Sequence, residues 1–204
     1  MKTTLSAAAA FACVALAAAP AAVGAEEQLL SLDPAKTAVH FSVTATGHDV
    51  EGSFHLTSGA VRFDSATGIA SGEIRIDALS AETGNGSRDK TLRGDVLETE
   101  RFPLFVFTAE RFVGNLPASG EEQVELCGLV SLHGASHPLT LPAKIRLEEE
   151  RLKVDAEFAI PYVEWGLHNP SILFLKVADI VQVHVEGEGT LSSPGAAVAA
   201  SHGR

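Results

Sequence analysis

Eight histidines in a chain of 204 residues are the first groups to weigh, because imidazole serves both as a general base and as a metal ligand. His133 and His137 stand four apart, but Gly134 and Pro138 place them on a turn, and no HExxH run occurs. His40 and His184 fall on the polar parity of strand-like runs, where exposure to water accounts for them. No GxSxG supplies a nucleophile elbow. Gly84-Asn85-Gly86 lacks the rest of either a dinucleotide fingerprint or a P-loop. The acidic residues lie mostly in turns and on polar strand faces, which reads as solvated surface rather than as a catalytic carboxylate pair. Cys127, in the run VELCGLVSL, reads as a buried structural thiol. The expectation is a chain with no catalytic residue, no metal ligand and no cofactor.

What the sequence does carry in excess is large apolar side chains. In Phe102–Phe112 (FPLFVFTAERF), Leu104 and Val106 occupy one parity and Phe105 and Phe107 the other. A strand with one wet face should not do that. The same excess appears at Trp165-Gly166-Leu167 and at Ile172-Leu173-Phe174-Leu175. Two explanations fit. A helix or a partner chain covers the outer face, or the segments line a cavity for an apolar ligand. Burying one methylene stabilises by about 0.8 kcal/mol, so ten methylenes of a lipid tail yield roughly 8 kcal/mol before binding costs. Such a binder needs a dry interior rather than a reactive group.

The elements that position these residues are strands. Period-two alternation runs through Val39/Phe41/Val43, Phe54/Leu56, Val61/Phe63, Ile74/Ile76, Val124/Leu126, Val130/Leu132, Leu139–Leu147, Leu152–Ile160 and Val181–Val185. Turn signals separate them, among them Asp64–Gly68, Gly114–Pro117 and Glu148–Glu150. Eight or nine such strands predict an antiparallel sheet closed into a barrel or folded into a sandwich. Ser87–Glu100 breaks the pattern: Leu92, Val96 and Leu97 have helical spacing, with Asn85-Gly86-Ser87 as a cap region.

Residues 1–25 read as a secretory signal: Lys2, an apolar stretch from Leu5 to Ala19, and Val23-Gly24-Ala25 before the cut. The stretch falls short of the roughly 20 apolar residues a bilayer span requires, so no stable membrane insertion is expected after cleavage. Export to the periplasm, with the extracellular space as the other destination, is the expected localisation. Cleavage leaves 14 basic and 26 acidic residues, a balance of −12, with Cys127 unpaired. That charge argues against nucleic acid and anionic lipid surfaces as partners. Residues 26–191 form one predicted domain, and the small, polar stretch 192–204 a disordered tail.

Several runs together resemble the YceI-like family, exported lipocalin-like β-barrels associated with polyisoprenoid and other lipid ligands. They are His40-Phe41-Ser42-Val43 with Gly52-Ser53-Phe54, then Arg88-Asp89-Lys90-x-Leu92, Phe102-Pro103, Phe107-Thr108, and Gly128–Gly134 followed by Leu139-Thr140-Leu141. The resemblance spans about Leu32 to Leu191. It implies an all-β fold, an antiparallel lipocalin-like barrel of about eight strands with one or two short helices. It also implies a carrier of an amphipathic ligand of polyisoprenoid, quinone or fatty-acyl type. The interior would then be lined by Phe41, Val43, Phe54, Phe105, Phe107, Leu132 and Trp165. The helix around Leu92 and Val96 would be a lid, with Arg88 and Arg93 facing a headgroup. Pairing of Arg88 with Asp89 or Asp95 is the structural alternative for that arginine. The alternative function is a non-enzymatic interaction module whose apolar surface is a homodimer or partner interface.

Overall fold

The computed structural model describes residues 27–117 and 120–193; the expected signal segment 1–25 and the tail beyond Ser193 lie outside them. Eight strands run in chain order: β1 (Glu27–Ala45), β2 (His48–Asp64), β3 (Ala70–Glu82), β4 (Leu104–Val113), β5 (Glu121–Leu132), β6 (Ala135–Glu148), β7 (Arg151–Ile160) and β8 (Val181–Ser192). Each pairs antiparallel with its sequence neighbours, and β8 closes onto β1, giving an up-and-down barrel with no free edge. Of the two closures the alternation left open, the barrel is the one formed. Ser192, assigned from composition to the tail, is the last residue of β8 and pairs with Leu29.

Alternation sets the inside of β6, β7 and β8. Leu139, Leu141, Ala143 and Ile145 face in, as do Leu152, Val154, Ala156, Phe158 and Ile160, and Val181, Val183 and Val185. Irregularities hide the pattern elsewhere: the β2–β3 pairing shifts at Ser53/His55 and Leu56/Ser58, and β1 and β4 each carry one as well. β1 starts twelve residues before Val39, and its register shifts after Leu32 on both neighbours, resuming at Ala38 against β2 and at Thr37 against β8, around Asp33-Pro34. β4 shifts between Ala109 and Arg111, where Glu110 is the extra residue. The bulge turns Phe112 inward although Phe105 and Phe107 have the opposite parity. Phe112 then stacks on Phe63, with ring centroids 4.2 Å apart.

The two ends of the barrel are built differently. At the base the connections are short turns, and Leu116 from the β4–β5 link packs on the core. At the mouth lie the long connection 83–103 and the β7–β8 connection 161–180. The first begins as α1 (Gly86–Thr91), capped by Asn85 Oδ1, which accepts the N–H groups of Ser87 and Arg88. The predicted helix 87–100 continues only as a π turn over Leu92–Val96, where Leu97 N–H donates to Leu92 O at 2.9 Å. An i to i+5 bond brings residues five apart to one side. Leu92, Val96 and Leu97 consequently all turn toward the barrel, against Leu132, Ile160, Tyr162 and Leu167.

Candidate apolar cavity

Inside the barrel is a cavity of about 290 Å³ lined by 41 residues. Only Thr37, Tyr162 and Trp165 among them have a polar side-chain atom, and none is charged. Eight strands leave an interior just wide enough for side chains or one small ligand, and here the side chains stop short of filling it. Phe41, Phe54 and Phe105 form a continuous aromatic row across β1, β2 and β4, with centroids 5.0 and 5.5 Å apart. Phe107 and Leu132 are buried on the wall.

Nine of the ten residues read as ligand-contacting line this cavity: Phe41, Val43, Phe54, Leu92, Val96, Phe105, Phe107, Leu132 and Trp165. Arg88 does not. Its Nε donates to Thr83 Oγ1 at 2.8 Å and its Nη2 to Thr83 O at 2.9 Å. Thr83 in turn donates its N–H and hydroxyl to Asp89 Oδ1. The arginine reaches Asp89 only through Thr83, and among the described residues it forms a direct ion pair with neither Asp89 nor Asp95. Arg93 likewise donates to Ala81 O at 2.7 Å. Both side chains tie the helical connection to the end of β3, and neither lines the cavity.

The cavity wall also includes residues that alternation did not reveal, above all Tyr162, Leu167 and Pro170 from the irregular β7–β8 connection. Their only sequence signal was the apolar cluster Trp165-Gly166-Leu167. Burial, reinforced by the nearby Asp179 charge, raises the Tyr162 phenol above its usual value, so it stays neutral. His137 corrects another expectation. It is not on a turn but within β6, opposite Val130, with its ring stacked on Trp165 at 4.5 Å. His133 is on the turn, and its Nε2 meets Glu98 at 3.0 Å. Cys127 is half-buried rather than buried, with Thr140 as its hydrogen-bond partner. Among the described residues, one group of potential metal ligands converges within 4.8 Å, namely Asp155, His184 and Glu186. It sits on polar-parity positions of β7 and β8, outside the cavity lining.

The lid anchor gives a pH prediction. The Thr83 hydroxyl, opposed by burial and helped by the Thr83 N–H, Arg93 and Arg88, holds the Asp89 carboxyl below its usual range. A depressed folded-state value means stability present above the unfolded pKa, about 3.9, and lost as pH falls through the folded one. Asp89→Asn is therefore expected to melt below the wild type at pH 7, with the gap in Tm narrowing as pH drops below about 4. A gap independent of pH would mean that the charge plays no part.

A closed eight-stranded antiparallel barrel around an uncharged, apolar chamber with a helical lid is a small-molecule binding architecture of the calyx type. The chain belongs to the YceI-like domain family, whose sequence model matches residues 30–189. A UPF0312 protein of Vibrio vulnificus is 26% identical over 131 residues, covering 62% of this chain and 67% of that protein. The barrel is similar to Burkholderia cenocepacia BcnA, with a TM-score of 0.64 at 20% identity, covering 78% of this chain and 99% of that one. It is also similar to a polyisoprenoid binding domain from Saccharophagus degradans implicated in plant cell wall breakdown. There the TM-score is 0.60 at 18% identity, with 80% and 98% covered. At such identities the likeness is one of fold. No helix among the described residues is long and apolar enough to cross a membrane.

Proposed function

We propose that the protein is an exported, non-catalytic carrier that holds one amphipathic hydrophobic molecule, of polyisoprenoid, quinone or fatty-acyl type, inside the barrel. The uncharged cavity carries this reading. Unfilled volume destabilises a core by about 24 cal/mol per Å³, so about 290 Å³ left empty would cost roughly 7 kcal/mol. A whole domain is stable by only about 5–15 kcal/mol. A void on that scale supports a ligand site over plain packing. With Arg88 and Arg93 engaged at the lid, a charged headgroup has no partner inside, so the head of the ligand stays neutral or remains at the mouth. The polyisoprenoid-binding neighbour supports an isoprenoid chain as the occupant, and the sequence character of residues 1–25 supports the periplasm as its place of work.

Native mass spectrometry of protein purified from its own periplasm, followed by lipid extraction, is expected to show a 1:1 adduct that organic solvent removes. Ligand at about 100 times its Kd adds about 2.7 kcal/mol, or roughly 5–10 °C in Tm for a domain this size. No co-purified lipid, together with no uptake of a fluorescent isoprenoid, would sink the carrier reading.

A further inference from the structure

At the mouth the β7–β8 connection turns four large apolar residues outward. Ile172 is 67% exposed, Leu173 87% and Phe174 92%, and Leu175 is exposed as well. This is an ordered turn. Ile172 and Leu175 bond each other in both directions, at 3.0 and 2.8 Å. Thr46, at the β1–β2 turn, holds the far side: its N–H donates to Lys176 O at 2.9 Å, and its hydroxyl accepts Lys176 N–H at 2.8 Å. Ser171 Oγ accepts Val177 N–H at 2.8 Å. Leu173 sits at φ +46°, a region that disfavours any residue with a Cβ. Backbone strain and exposed apolar area both oppose stability, and the fold keeps both at one point.

The place of the turn indicates its occupant. Pro170 and Val177, which bracket it, line the cavity, so the projecting side chains stand beside the cavity wall. The four side chains offer roughly 500 Å², short of the about 800 Å² per partner of a stable protein interface. Around them the connection 161–180 has one lysine, Lys176, against Glu164 and Asp179. Apolar insertion, with no help from charge, is the mode this composition allows.

We propose that the Ile172–Leu175 turn inserts into the interface of a lipid bilayer, docking the mouth on the membrane so that ligand passes between bilayer and cavity without crossing water. The proposal rests on the carrier reading for its cargo, while the docking itself is separately measurable. Insertion of so few residues gives weak, reversible attachment, comparable to a single acyl anchor with an association constant of order 10⁴ M⁻¹.

The test uses the full mature chain with phosphatidylcholine vesicles, and a second set containing phosphatidylglycerol. The variant is L173N/F174S, in which asparagine tolerates the left-handed backbone at 173. The wild type is expected to co-sediment with phosphatidylcholine vesicles and to gain nothing from phosphatidylglycerol. The variant should bind them at least tenfold more weakly, yet take up a fluorescent isoprenoid from cyclodextrin within twofold of the wild type. Equal sedimentation of the two proteins, or binding that depends on phosphatidylglycerol, would overturn docking. A concentration-dependent dimer dissolved by the same variant would reassign the turn to a second copy. Failure of both proteins to take up isoprenoid from cyclodextrin would overturn the transfer role through the carrier reading, leaving sedimentation to report on the turn alone.

Discussion

Phe107→Asp is expected to abolish uptake of a fluorescent isoprenoid, raising its Kd by more than 100-fold, in protein whose far-UV circular dichroism matches the wild type. Phe107 sits mid-strand on β4 between Ile74 and Val130, is 5% exposed, and faces the cavity. Its ring lies over Gly128, where a Cβ would collide with the Thr108 carbonyl and approach Phe107 Cζ to 2.9 Å. The ring is therefore seated by a position that has room for hydrogen only. An aspartate in its place finds no cationic partner among the cavity residues. It must either keep its charge and draw water in, or take up a proton with its pKa raised. In both cases the wall is no longer dry, at a cost of several kcal/mol to an apolar tail. Phe107→Leu is the control: Tm falls by an amount typical of core truncation, and affinity stays within about fivefold. Phe105→Asp, half-buried nearer the mouth, tests the same wall with less risk to folding. Unchanged uptake in the folded variants would take these rings off the binding surface.

How much of this could be read from sequence depends on where the backbone is regular. In β6, β7 and β8 the pleat is unbroken, so period two placed Leu139–Leu147, Leu152–Ile160 and Val181–Val185 on the inner face. In β4 the excess of apolar groups was visible, but its direction was not, because one unmatched residue at Glu110 reverses parity midway. Phe105, Phe107 and Phe112 all face in, while Leu104 is left partly exposed on the outer face. The first half of β1 was hidden by Asp33-Pro34, which reads as a break and is a bulge with pairing on both sides.

Arg88 stands off the cavity wall for a different reason. Its partner Thr83 is five residues upstream, in the link before α1, where no helical or strand spacing signals a contact. His137 has the inward parity of Leu139, yet the flanking Gly134 and Pro138 suggested a turn. The two apolar clusters of the β7–β8 connection looked alike in sequence, and they part in the fold. Trp165 and Leu167 close over the cavity, and residues 172–175 project from the mouth. Hydropathy registers that such residues need apolar surroundings, not whether the chain itself supplies them.

Ala156→Leu separates a ligand chamber from an ordinary core, because the two respond with opposite signs. Ala156 lies on β7 between Ala143 and Val185, is buried at 6% exposure, and faces the cavity. In a filled core, three extra carbons force neighbours off their rotamers and destabilise by about 1–3 kcal/mol. In a chamber with about 290 Å³ to spare they occupy space that the empty protein leaves vacant. At about 0.8 kcal/mol per carbon buried, the gain is roughly 2 kcal/mol, or about 4–8 °C in Tm for a domain this size. The same side chain takes the place of ligand carbons, so affinity for the isoprenoid should fall at least tenfold. A delipidated Ala156→Leu protein that melts higher and binds worse than the delipidated wild type is the expected result, read by calorimetry and fluorescence titration on matched samples. A variant that melts lower would show that the interior is packed to its limit and that the ligand, if any, binds elsewhere. Only a cavity maintained for a ligand, against the stability of the empty barrel, gives the first pattern.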